Sequence, residues 1–83
     1  MAKMKPGLVR NAKVKGRQGI DVSDVAVVEI LSGGGVSIKV VRPDGRITPG
    51  TDVVITLPDN TELKGRLDQQ GELKFPPGTV TVE

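Results

Sequence analysis

From Gly35 to Leu57 the chain keeps a rhythm of two. Val36, Ile38 and Val40 alternate with Ser37 and Lys39, and Val53, Ile55 and Leu57 alternate with Val54 and Thr56. Successive side chains of an extended strand point to opposite faces, so each run sets one apolar face against one solvated face. Val and Ile, which fill most of the apolar positions, are stiff at χ1 and pack well on a pleated surface. The rhythm therefore restricts the chain to sheet structure over its middle third.

Corners with turn chemistry separate the runs: Pro43-Asp44-Gly45-Arg46, Pro49-Gly50, Pro58-Asp59-Asn60, Asp68-Gln69-Gln70-Gly71 and Pro76-Pro77-Gly78. Pro presets φ, Asp accepts backbone N–H groups, and Gly or Asn takes the left-handed position. Between the later corners, Leu63 and Leu67 flank Gly65 on one face with Glu62, Lys64 and Arg66 on the other. Leu73 with Phe75, and Val80 with Val82, read as two further short strands. Pro-Asp and Gly recur at a fifteen-residue interval, with Gly35, Gly50 and Gly65 in step, and Val-x-Ile recurs at seventeen, which reads as a strand-turn meander.

The first third is less regular. Met1–Gly7 reads as a disordered basic lead-in, and residues 8–83 as a single small β domain. Leu8–Lys15 reads as one strand with Leu8, Arg10, Ala12 and Val14 on one face, followed by a basic turn at Gly16–Gly19. In Asp21–Gly35, Asp21 or Ser23 could cap a helix and Gly33 could end it. The β-branched run Val22, Val25, Val27, Val28 and Ile30 favours a strand over about residues 24–31 instead. The whole pattern predicts an all-β fold, a small antiparallel sandwich or barrel of six or seven short strands.

Length makes this fold hard to stabilise. A chain of 83 residues buries only about 60–65% of the surface its unfolded form exposes. Val, Ile, Leu and Phe75 must build the core, because Trp and Tyr are absent. There is no Cys and no His, so neither a disulfide nor a zinc site can staple the domain. Burial against another chain, by docking or self-association, is the expected remedy.

The same absences exclude Ser-His-Asp and Cys-His nucleophilic chemistry within the chain. Carboxylate pairs remain: Asp21 with Asp24, Asp59 with Glu62, and Asp68 with Glu72. All fall in or beside turns, where solvent keeps carboxyl groups ordinary, and no concave pocket is suggested. Asp44, Asp59 and Asp68 are oxygen donors at strand ends, but no calcium-loop spacing joins them, so they read as turn caps. The run Leu31-Ser32-Gly33-Gly34-Gly35 lacks the Lys-Ser/Thr and the helix of a phosphate loop and reads as a hairpin loop or hinge. The expectation is a non-enzyme without cofactor or metal.

Charge is uneven. Lys3, Lys5, Arg10, Lys13, Lys15 and Arg17 lie in residues 1–19 with no acid among them, although the chain as a whole is only +2. A basic arm ahead of an acidic body is either a solvated terminus or a contact for an anionic partner. With Phe75 as the one aromatic, no stacking platform for single strands is available, so nucleic acid would be gripped through phosphates. No stretch is apolar enough for a leader or a membrane span, and a cytoplasmic location is expected.

The stretch from Val40 to Val82 resembles a small β module of type VI secretion spike proteins and phage-tail-like proteins. It is also similar to transthyretin-like and other Ig-like modules. The matching residues are Asp44, Gly45, Pro49, Gly50, Leu57, Pro58, Asp59, Gly65, Leu67, Asp68, Gly71, Pro77 and Gly78. Asn60 stands where such hairpins usually carry Gly. The resemblance implies an accessory module that docks a neighbour within a larger assembly, with export as part of it, and it transfers no binding residue. The expected function is thus a non-catalytic interaction or structural module. The alternative is sequence-nonspecific nucleic-acid binding through residues 1–19.

Overall fold

A computed structural model describes residues 4–41 and 50–83. Among these residues, seven strands form two antiparallel sheets: β1 (Gly7–Val9), β2 (Lys13–Lys15), β3 (Ala26–Ile30), β4 (Val36–Val40), β5 (Asp52–Thr56), β6 (Glu62–Arg66) and β7 (Glu72–Phe75). One sheet runs β1-β3-β4-β7 and the other β2-β5-β6. The all-β expectation and the strand count are therefore met. The turns at Pro43-Asp44-Gly45-Arg46 and Pro49, with Ile47, lie outside the described residues.

Inward-facing alternation builds the core. Val28, Ile30, Val36, Ile38 and Val40 from the four-stranded sheet meet Val14, Val53, Ile55, Leu57 and Leu67 from the other side, all of them buried. No polar or charged residue is buried among the described residues. Residues 24–31 resolve toward strand: β3 pairs with β4 from Ala26↔Val40 to Ile30↔Val36. Ser23–Val25 makes only a single 3-10 turn before it.

Four local expectations are corrected. Leu8–Lys15 is not one strand, because β1 and β2 belong to different sheets. The bend at Arg10–Ala12 turns Val9 toward the core and leaves Leu8 67% exposed. Val80 and Val82 form no strand, and Val82 makes only an isolated parallel bridge to Met4. That bridge is held by Met4 N–H to the Thr81 carbonyl and Glu83 N–H to the Met4 carbonyl, each 3.0 Å. The ordered domain thus begins before residue 8. Finally, Phe75 is only half-buried against the core, whose largest wholly buried side chains are Ile and Leu.

The glycine run closes the β3–β4 hairpin and is clamped rather than hinge-like. Gly34 N–H donates to the Leu31 carbonyl, while Gly78 N–H and Val80 N–H donate to the carbonyls of Gly33 and Gly34 at 2.9 and 3.0 Å. Gly34 has φ of +86°, and a Cβ there would collide with the Val80 carbonyl oxygen. Only glycine meets both demands.

Candidate interaction surface

The turn aspartates act as the sequence suggests. Asp59 accepts the Thr61 N–H at 3.0 Å, while Asn60 takes the left-handed position at φ 71°. Asp68 accepts two N–H groups, from Gln70 at 2.8 Å and Glu72 at 3.0 Å. Asp21 accepts the Ser23 N–H at 2.9 Å and faces the Lys15 ammonium at 3.7 Å. These bonds favour the charged form, so the carboxyl groups are not ordinary, as the sequence implied, but depressed. Asp21 is lowered by Ser23 and then by Lys15, Asp59 by Thr61, and Asp68 by the Glu72 and Gln70 amides. A general acid working near neutrality needs the opposite shift.

A concavity is present, contrary to the sequence reading. A groove of about 330 Å³ opens at the end of the sandwich where β4 leaves and β5 begins. Val25, Val40, Val53 and Leu67 line it, with Asp21 and Asp24 among its polar residues. It brings one of the three carboxylate pairs to a single cavity. Asp21 is already engaged by Ser23 and Lys15, however, and among the described residues no group of three acidic side chains gathers to hold a metal.

Of the six basic residues of the first nineteen, the five that are described do not form a free arm. Lys3 lies outside the described residues, Lys5 follows the Met4 bridge, and Arg10 sits in the crossing between sheets. Lys13 and Lys15 are the exposed positions of β2, with Val14 buried between them. Arg17 belongs to a 3-10 turn, Arg17–Gly19, directly after β2. Segment 20–23 returns along the free side of β2: Val22 N–H donates to the Val14 carbonyl at 2.8 Å, and Val14 N–H to Ser23 Oγ at 2.9 Å. From Met4 onward the basic segment is therefore built into the domain.

Sequence distance hid where these cations meet others. β2 pairs with β5 as Lys15↔Val54, and β5 pairs with β6 as Val54↔Lys64, so Lys15, Val54 and Lys64 share one row. The next row reads Lys13, Thr56, Glu62, and Asp52 faces Arg66 beyond Val54 on the other side. Arg66 Nε donates to Asp52 Oδ1 at 2.9 Å, which lowers the Asp52 carboxyl and raises the guanidinium; Arg17 lowers Asp52 further. The period-2 pattern places Glu62, Lys64 and Arg66 outward, as they are, but only the strand order sets them across from Lys13 and Lys15.

The outer face of the other sheet differs. Its rows read Leu8, Glu29, Ser37, Lys74 and Val27, Lys39, Glu72. Leu8, Val27 (54% exposed) and Leu31 are apolar and in water; Leu8 pairs across from Glu29, which lies between Val27 and Leu31, and charges of both signs surround them. No helix among the described residues is long and apolar enough to cross a membrane. No protein family, characterised protein or solved structure matches the chain.

Proposed function

We propose that this chain is a non-catalytic interaction module that works by docking a protein partner or a second copy of itself. The carrying observation is how the chain's chemistry is used. The aspartates at Asp21, Asp59 and Asp68 hold turn amides, and the interior is wholly apolar among the described residues. What remains for recognition is the outer sheet surface, including the exposed apolar side chains Leu8, Val27 and Leu31. A thin core without disulfide or metal gains most from covering such side chains. The turn pattern shared with accessory β modules of type VI secretion spikes and phage-tail-like proteins supports an Ig-like module within a larger assembly. On that reading it is made in the cytoplasm and exported, if at all, with that assembly.

The test is site-specific photo-crosslinking in cells that make the protein natively, with the crosslinker at position 27 or at position 70 in the Asp68 turn. A docking module gives a discrete adduct at 27 and none at 70. Sedimentation of the purified chain then tells self-association from a foreign partner. Absence of any adduct at 27, together with a monomer at high concentration, would refute the proposal.

A further inference from the structure

The solvent face of the β2-β5-β6 sheet has the shape of a trough. Neighbouring strands lie about 4.8 Å apart, so β2 and β6 are separated by about 10 Å, and same-face residues along a strand repeat every ~6.7 Å. Lys13 and Lys15 form one rail, and Lys64 and Arg66, with Glu62 at their end, form the other; Asp52, Val54 and Thr56 of β5 make the floor, so cations outnumber acids on the face. No carboxylate of a described residue lies within salt-bridge distance of Lys13 or Lys64. Arg66 uses only its Nε on Asp52, which leaves the outer nitrogens of the guanidinium to donate. Arg17 extends the β2 rail past its end.

We propose that this trough is a binding site for the phosphate backbone of nucleic acid, held without reading base sequence. The inference is independent of protein docking, which the opposite sheet serves. Composition favours phosphate over an acidic protein. Protein interfaces are enriched in aromatics and depleted in Lys, whereas this face has three Lys and no aromatic. Lys and Arg are the residues that displace counterions from a phosphodiester chain. The spacing also fits, because one two-residue step of a rail spans about two ~3.4 Å phosphate steps along a duplex strand. Without aromatics there is no stacking, so a duplex, with its higher charge density, binds more tightly than a single strand.

The experiment is fluorescence anisotropy of a short labelled duplex, and of one of its strands, titrated with the full chain between about 50 and 200 mM salt. Each phosphate contact contributes about −0.9 to the slope of log affinity against log salt, so four cations give about −3.6. The double variant Lys13→Gln/Lys64→Gln removes two surface cations that no carboxylate of a described residue pairs and makes that slope shallower by about 1.8. Lys39→Gln/Lys74→Gln, on the outer face of the other sheet, removes the same charge and leaves the slope unchanged. Circular dichroism confirms that each variant is folded. Equal losses in the two double variants would reduce the effect to net charge and overturn the site. Absence of duplex binding at the lowest salt would overturn it too, as would competition by polyglutamate matching that of unlabelled duplex at equal charge.

Discussion

Gly34 offers a measurement in which two physical terms separate. Gly34 and Gly78 both have φ of +86°, but a Cβ at Gly78 meets nothing within 4 Å, whereas one at Gly34 meets the Val80 carbonyl oxygen and lies 3.1 Å from the Gly78 nitrogen. Gly78→Ala therefore introduces left-handed strain alone, about 1–2 kcal/mol. Gly34→Ala adds a collision with backbone, which cannot rotate away as a side chain would. Relief requires segment 78–80 to lift, breaking the Gly78–Gly33 and Val80–Gly34 hydrogen bonds at about 1 kcal/mol each. The expected loss is about 3–4 kcal/mol, a large part of the roughly 4–12 kcal/mol that a domain of 83 residues possesses. Both substitutions stiffen the unfolded chain equally, so that contribution cancels in the comparison. In urea, with m near 1 kcal/mol/M, the midpoint falls by about 1–2 M for Gly78→Ala and by about 3–4 M for Gly34→Ala. Equal shifts for the two would refute the claim that the tail is clamped on the hairpin.

Three more outcomes follow from the same geometry. Ile38 is 0% exposed at the centre of β4, so Ile38→Ala lowers stability by about 2–5 kcal/mol in urea unfolding; a loss below about 1 kcal/mol would remove it from the core. Asn60 occupies φ 71°, so Asn60→Gly leaves the thermal midpoint nearly unchanged, whereas Asn60→Val, β-branched in a left-handed position, costs about 1–2 kcal/mol. Asp21, Asp59 and Asp68 have folded-state pKa values below the unfolded value of about 3.9, so the stability they contribute is fully present above that pH. It is lost as pH falls through the lower folded values. Urea midpoints measured from pH 5 downward should decline, and Asp68→Asn should flatten the decline; an unchanged pH profile in that variant would contradict its two amide bonds.

The strands legible in the sequence are those where burial repeats every second residue. Val36, Ile38, Val40, Val53, Ile55 and Leu57 are all buried, as the alternation requires. Turns built on Asp59 and Asp68 were legible too, because their chemistry is local. What failed was non-local. Leu8 and Val14 lie in phase along the sequence, yet the chain changes sheets between them, and no propensity marks a sheet crossing. Val80 and Val82 alternate like a strand and pack against the core, but their backbone pairs only with the Gly34 carbonyl and Met4, too few partners to form a ladder. The cationic trough was illegible for the same reason, since residues 13–15 and 64–66 become neighbours only through β5. The structure also revises how a basic-segment hypothesis should be tested. Deleting residues 1–19 would remove β1, β2 and buried Val14, so a loss of binding would report unfolding. Point neutralisation at Lys13 and Lys64 avoids that confusion.

The parallel bridge between Met4 and Val82 bears on how the domain answers mechanical tension. In parallel neighbours, pulling on the two ends of the chain drags the paired segments past each other lengthwise. The Met4–Thr81 and Glu83–Met4 bonds then carry the load together, whereas a hairpin tugged at its ends gives way one bond at a time. Behind them, Gly78 and Val80 tie the last segment to the β3–β4 hairpin and form a second set of fastenings. A module strung in tension between two neighbours would thus meet the pull first at its own closed ends, before any strand of the sandwich is drawn out.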